Sequence, residues 1–131
     1  MTPTKTHSTL QPPDRAILVG FAPRNHPLAV LQESMDELAR LVDSAGGVVI
    51  GRVTQRAERP SAAYVVGTGK LSEVDALVAE TKANLVIFDD ELSPSQLRNL
   101  EERLSGRPVD APVQTMGRTR LEGPRRNTAG G

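Results

Sequence analysis

The sequence predicts a small α/β domain of three layers, in which a mostly parallel sheet is flanked by helices. Two observations support this fold class. Short apolar runs typical of strands alternate along the chain with segments whose apolar residues recur every three or four positions, as in amphipathic helices. Glycine or proline separates most of these segments. Strands that alternate with helices pair in parallel through right-handed crossovers, and 131 residues leave room for one such domain.

The first part of the chain predicts a strand, a helix and a second strand. Ala16 to Val19 form a short apolar run, and Val48 to Val53 are rich in β-branched residues. Between them, apolar residues from Leu28 to Val42 follow helical spacing, and Gly46-Gly47 ends the helix. Loops are expected at 21–27 and 55–62, which contain proline and polar or charged residues.

The following part predicts a short extended piece, a turn, a helix and a third strand. Tyr64 to Val66 are extended, Gly67-Thr-Gly69 form the turn, and Leu71 to Val78 carry a helical pattern. Leu85 to Phe88 are an unbroken apolar run, as expected for a strand covered on both faces.

A capping box predicts the start of the last helix. Ser93 is suited to the N-cap, Pro94 to the first helical position, and Gln96 completes the Ser-x-x-Gln pattern. Apolar residues then continue at helical spacing to Leu104. This helix closes the predicted domain, which spans residues 15–104.

An acidic turn, Asp89, Asp90 and Glu91, lies between the third strand and this helix. Polar groups at the carboxyl end of a strand are where open α/β sheets bind ligands. Carboxylates could hold magnesium there. Acids before a helix also stabilise its dipole, by roughly 0.3–1 kcal/mol each. We favour the dipole and capping role and predict no metal site. Topology further suggests that Asp89 or Asp90 lies near Lys70.

Gly67, Gly69 and Lys70 are a candidate anion- or nucleotide-binding turn. Backbone N–H groups at a helix start bind anions, and Lys70 would add charge. A phosphate-binding Walker loop is excluded, because Tyr64 stands where its first glycine belongs and Leu71 where its Ser or Thr belongs. The alternative is a tight turn that only opens a helix.

A basic segment follows the second strand and is a candidate contact for RNA phosphates. Residues 52–70 carry four basic side chains against one acidic one, whereas residues 71–104 carry eight acidic and three basic ones. Contacts to phosphates would position the protein without reading sequence. The alternative is an exposed loop kept soluble by charge. The candidate residues are Arg52, Gln55, Arg56 and Arg59.

Composition excludes several classes of function. No cysteine is present, which removes disulfides, thiolate metal sites and cysteine nucleophiles. Aromatic residues make up 2%, too few for base-stacking platforms. No apolar run approaches the ~20 residues that span a membrane, so we expect a cytoplasmic protein without membrane or DNA partners.

Both ends of the chain are expected to be disordered. Residues 1–14 are polar and contain proline, as in a disordered leader. Residues 105–131 show neither strand alternation nor helical periodicity, and Pro108 and Pro112 disfavour a central strand. We therefore expect a disordered or aberrant tail, as a truncated or frameshifted gene would produce. A lost fourth strand would leave one edge of the sheet open.

Four segments of the chain agree in order and spacing with those of a known family: Arg15–Gly20, Ser34–Gly46, Tyr64–Glu73 and Asn84–Glu102. Together they resemble the N-terminal domain of HflX-type GTPases, the ribosome-associated translational GTPases of bacteria and organelles. The third segment is similar to that family's Tyr-x-x-Gly-x-Gly-Lys-x-x-Glu motif. The resemblance implies that the candidate residues of the basic segment contact ribosomal RNA.

The resemblance implies a domain that docks on the large ribosomal subunit and restrains or communicates with a GTPase domain. GTP and magnesium belong to the full-length family. We expect no cofactor and no GTP hydrolysis in this chain, because it contains neither a Walker loop nor an Asn-Lys-x-Asp run. Two alternatives stay open: a stand-alone nucleotide- or anion-binding protein, and a protein-interaction module.

Overall fold

A computed structural model describes residues 13–104 and 113–122 and shows a four-stranded parallel sheet of order β2-β1-β3-β4. The strands are β1 (Arg15–Pro23), β2 (Val48–Ala57), β3 (Leu85–Phe88) and β4 (Gln114–Gly117). The helices are α1 (Leu28–Ser44), α2 (Thr68–Thr81), α3 (Pro94–Leu104) and α4 (Arg118–Glu122). The predicted α/β fold class is confirmed. None of the described helices is both long and apolar enough to cross a membrane.

Two apolar cores lie on opposite faces of the sheet, because successive side chains of a strand point to opposite faces. Val86 and Phe88 of β3 pack with α2 and α3, while Leu85 and Ile87 pack with α1 and α4. All four are buried, as the unbroken apolar run predicted. The predicted helical stripes face the sheet in both cores: Leu31, Met35, Leu38 and Val42 on one face, and Leu71, Val74, Val78, Leu100 and Leu104 on the other.

The start of α3 confirms the predicted capping box. The Ser93 Oγ accepts a hydrogen bond from the Gln96 backbone N–H at 3.1 Å. The Gln96 side chain in turn accepts one from the Ser93 N–H at 3.0 Å. The pair satisfies two backbone donors that a helix start leaves free, and α3 begins at Pro94 as expected.

Three predicted boundaries were wrong. β1 and β2 continue into the expected loops, to Pro23 and Ala57, because the two strands pair with each other up to those residues. The expected extended piece at 64–66 is instead part of a turn that an isolated bridge between Ser61 and Val65 closes. The added residues of β1 and β2 are strand only because each pairs with the neighbouring strand, and the local sequence gives no information about that pairing.

The largest difference lies after residue 104, where a fourth strand was expected to be lost. Instead β4 pairs in parallel with β3, and Gln114 N–H donates to the Asn84 carbonyl at 3.0 Å. Pro108 and Pro112 both precede the strand, so neither removes one of its hydrogen-bond donors. The fourth strand is therefore present, and β3 does not form an open edge of the sheet. The predicted disorder falls, for residues 1–12, 105–112 and 123–131, outside the described residues.

Candidate functional site

The carboxyl ends of the four parallel strands meet at one edge of the sheet, and this edge carries the candidate site. β1 lies between β2 and β3, and the helices that follow β1 and β3 pack on opposite faces. This arrangement is a topological switch point, where open α/β sheets commonly bind ligands. Its charges divide into two groups. We call Arg24, His26, Arg56 and Arg59 the basic corner, and Asp89, Asp90 and Glu91 the acidic corner.

Arg56 organises the basic corner. Its guanidinium donates hydrogen bonds to the backbone carbonyls of Arg24 at 2.8 Å and His26 at 2.9 Å. The Arg24 N–H also donates to the Ala57 carbonyl at 3.0 Å. The loop after β1 is thus held against the end of β2. All four side chains of the corner are exposed.

The structure separates the other predicted RNA-contact residues. Arg52 forms an ion pair with Asp36 of α1 at 2.8 Å. Gln55 points to the opposite face of β2, where its side-chain oxygen accepts a hydrogen bond from the Gly67 N–H at 2.9 Å. Arg59 is exposed and pairs with no side chain in the described part of the chain. Arg56 and Arg59 therefore share a corner, whereas Arg52 and Gln55 have contacts of their own.

Gly67, Gly69 and Lys70 open α2. Gly67 is the N-cap residue of α2, and as a glycine it has no side chain that could form a capping hydrogen bond. Space around Gly69 is open, and Lys70 pairs with Glu73 at 3.4 Å within the helix. The turn thus opens a helix, as the simpler interpretation predicted, and anion binding stays a prediction. Because Gln55 holds Gly67, this helix start lies beside the end of β2.

Asp89 of the acidic corner is buried in a hydrogen-bonded ion pair. The Arg118 guanidinium donates to its Oδ1, and the Ser34 hydroxyl donates to its Oδ2 at 2.5 Å. Arg118 also binds Glu37 at 3.1 Å and Glu122 at 2.8 Å. Side-chain exposure is 7% for Asp89 and 17% for Arg118. We call these five residues the Arg118 cluster; it joins β3, α1 and α4.

The charges of this cluster strengthen the protonated state of the guanidinium. Burial lowers the pKa of Arg118, but hydrogen bonds to Glu122 and Asp89 and their negative charges raise it above its ordinary value overall. Arg118 is therefore a permanent positive charge at the acidic corner.

The predicted approach to Lys70 is wrong for Asp89, and for Asp90 it stays a prediction. Asp89 binds Ser34 of α1, whereas Lys70 belongs to α2 on the opposite face of the sheet. The ion partner of Lys70 is Glu73. Strand alternation sends the side chain of Asp89 away from α2, which proximity of strand ends alone did not reveal.

Asp90 and Glu91 differ in burial. Burial, and then the charge of Asp89, raise the pKa of Asp90 to about 6. Its Oδ2 is buried without a hydrogen-bond partner among the described residues, whereas Glu91 is exposed. Within 13–104 and 113–122, no group of three or more His, Cys, Asp or Glu side chains is placed to hold a metal ion.

Arg118 is the residue that sequence reasoning missed. Arg118 directly follows β4, and β4 pairs with β3, so Arg118 lies next to Asp89, the residue that follows β3. This neighbour relation can be predicted only when the segment 114–117 is identified as a strand.

Comparisons with known proteins place this arrangement in a family. The family model described as GTP-binding GTPase N-terminal matches residues 32–119. A protein named GTPase HflX from Flavobacterium psychrophilum is 37% identical over 97 residues, covering 74% of this chain and 24% of that protein. Its namesake from Alkalihalophilus pseudofirmus is 42% identical over 87 residues, covering 66% and 20%. That of Escherichia coli is 40% identical over 78 residues, covering 60% and 18%.

The family match also continues past the last of the four resembling segments, Asn84–Glu102, and includes β4 and Arg118. The chain spans about a quarter or less of the length of these curated relatives. On a family match that covers more than half of its residues, the chain belongs to the GTP-binding GTPase N-terminal family, whose relatives here are HflX-type GTPases.

Proposed function

We propose that this domain docks HflX-type GTPases on RNA of the large ribosomal subunit, in the cytoplasm, and does not itself hydrolyse GTP. Family membership supports the link to HflX-type GTPases, since the relatives are named GTPase HflX. Docking on ribosomal RNA is what the resemblance implies. The second half of the proposal is supported by the sequence, which holds no Walker loop. GTP and magnesium would bind the GTPase domain of a full-length relative, with which this domain would communicate.

The observation that carries the proposal is the basic corner. Exposed side chains of Arg24, Arg56 and Arg59 gather at one strand end, with Glu58 as the acidic residue between them in sequence. Lys70 and the start of α2 lie on the other side of the same strand end, because Gln55 holds Gly67 there. Positive groups spread around one exposed edge fit the repeated phosphates of an RNA backbone.

The same contacts limit the strength of binding. Arg52 is neutralised by Asp36, and the Arg56 guanidinium already binds two carbonyls. Few phosphates are then neutralised, so affinity is weak and falls with salt, each phosphate contact steepening the salt slope by about one unit. Without the rest of a GTPase, avidity is also lost.

Cosedimentation with large ribosomal subunits tests the proposal. We expect Arg24→Glu/Arg59→Glu to lower binding about tenfold or more at low salt and to flatten the salt slope by about two units. Both residues are exposed at the corner, and neither side chain holds the loop, so the fold should be kept.

The matched control is Arg40→Glu/Arg98→Glu. It makes the same change of charge at exposed positions on α1 and α3. Equal losses in both variants would show that only net charge matters and would contradict docking through the basic corner. Binding that survives the corner variant would contradict it as well.

A second candidate function is anion or nucleotide binding at the start of α2. The observation that favours it is that Gly67 provides no side-chain cap, while space is open around Gly69 next to Lys70. Thermal shift with ATP, GTP and inorganic phosphate, with and without magnesium, tests it. A shift that Lys70→Gln abolishes would support this site; no shift at millimolar ligand would remove it.

A further inference from the structure

α4 has little apolar contact to hold it in place. It is five residues long, and among these residues only Leu121 is buried. A helix this short does not form by itself, since nucleation costs more than one turn of hydrogen bonds returns. The position of α4 must therefore depend on contacts with the rest of the domain.

Arg118, the first residue of α4, supplies those contacts from a position between three elements. Its guanidinium reaches Asp89 beyond β3, Glu37 and Ser34 on α1, and Glu122 within α4 itself. Glu37 and Glu122 are 59% and 47% exposed, so water screens their contribution. Asp89 is 7% exposed, and its contact is the one that water does not weaken.

Asp89 also depends on Arg118. Both of its oxygens are used, one by the guanidinium and one by the Ser34 hydroxyl. Without Arg118 a buried carboxylate would keep one hydrogen bond and no opposite charge, a costly state. The two residues therefore hold each other, and the pair joins α4 to α1 and β3.

We propose that Arg118 and Asp89 form a latch, which decides whether α4 lies against α1 or separates from it while the sheet stays folded. α4 leads into the chain after Glu122, and this domain is N-terminal in a family whose members are four to five times longer than the matched region. The latch consequently sets the direction in which the following chain leaves the domain. Local release of such a weakly held unit precedes global unfolding. This inference is independent of ribosome binding.

Distance measurement between spin labels tests the latch directly in the full chain. The sequence contains no cysteine, so two introduced cysteines are labelled specifically. Labels at Thr119→Cys and Arg40→Cys, both exposed, report the separation of α4 from α1. Labels at Arg40→Cys and Glu80→Cys report the separation of α1 from α2 across the sheet, as an internal reference.

In the parent chain we expect one narrow distance distribution for each pair. Arg118→Gln should broaden the α4–α1 distribution at least about twofold and leave the reference pair narrow, since only the latch is lost. Asp89→Asn should do the same. Arg120→Gln, a matched change at an exposed residue of the same helix, should change neither distribution.

Four results would overturn the latch. The α4–α1 distribution could stay narrow in Arg118→Gln, or broaden equally in Arg120→Gln, and then the cluster does not hold α4. Both pairs could broaden in Arg118→Gln, and then Arg118 supports the whole fold. Glu122→Gln could act as strongly as Asp89→Asn, and then the contact within α4 is the decisive one.

Discussion

The basic and acidic corners share one edge of the sheet, yet their charges serve different purposes. Arg59 of the basic corner is exposed, and Arg56 uses its guanidinium on backbone carbonyls while its side chain stays accessible. In the acidic corner, Asp89 is buried against Arg118. Exposed charges interact weakly with their protein neighbours, and buried charges interact strongly. Burial therefore divides two similar-looking runs of charge into a surface available for binding and a cluster that holds structure.

The largest effect is expected for Asp89→Ala, which would break the buried pair. We expect a loss of about 3 kcal/mol in the free energy of unfolding, because Arg118 would lose its one buried carboxylate partner. Urea unfolding followed by circular dichroism measures the loss. Asp36→Ala is the control, since it removes an exposed ion pair with Arg52 and should cost less than about 0.5 kcal/mol. Similar losses in the two variants would show that burial does not separate the corners.

Asp90→Asn should stabilise the protein, unlike the same change at the exposed Glu91 of the acidic corner. The pKa of Asp90 is raised to about 6 in the folded state, above its ordinary value. The folded state then binds more protons than the unfolded state between about pH 4 and 6, so stability contributed by Asp90 falls as pH rises through this window. After allowance for solvent screening, we expect Asn to add about 1 kcal/mol at pH 7.

The advantage of Asn at position 90 should disappear near pH 4, where the folded carboxyl is already protonated. Urea unfolding at pH 4, 5.5 and 7 measures it. Glu91→Gln, the same change of carboxylate to amide at the exposed position next in the chain, should not reproduce the gain at pH 7. A gain at Asp90 that is constant with pH would mean that protonation is not its cause.

The smallest effect concerns Gln55, a predicted RNA contact that the structure gives another task. Gln55→Ala should cost about 1 kcal/mol in unfolding free energy, because the Gly67 N–H loses its acceptor. Ribosome binding should be unchanged at equal folded concentration. Gln32→Ala, at an exposed position of α1, is the matched control and should cost little. A loss of ribosome binding without a loss of stability would instead indicate that Gln55 contacts RNA.

Local patterns predicted much of the fold, and the reasons are local. The Ser93 and Gln96 side chains reach backbone groups within three residues, so their pattern needed no tertiary information. The buried strand from Leu85 to Phe88 was equally predictable, because its four apolar residues are consecutive. β4 was not, because Gln114–Gly117 has no alternating pattern and becomes a strand by pairing with β3.

The candidate site was predicted less well than the fold. Composition pointed to a basic and an acidic segment, but it did not say which side chains meet. Arg52 binds Asp36, Gln55 binds Gly67 and Asp89 binds Arg118. The members of these pairs are separated by 12 to 29 residues in the chain. Each pair depends on which face of the sheet a side chain occupies.

The sequence by itself determined the α/β class, the parallel pairing, the main helices and the family resemblance, because periodicity, capping and motifs act over a few residues. Tertiary structure alone decided that the sheet has a fourth strand, that Lys70 and Asp89 lie on opposite faces, and that the Asp89 side chain is buried against Arg118. Ladder pairing and burial are properties of segments brought together by folding. Their energies arise only when distant residues exclude water from one another.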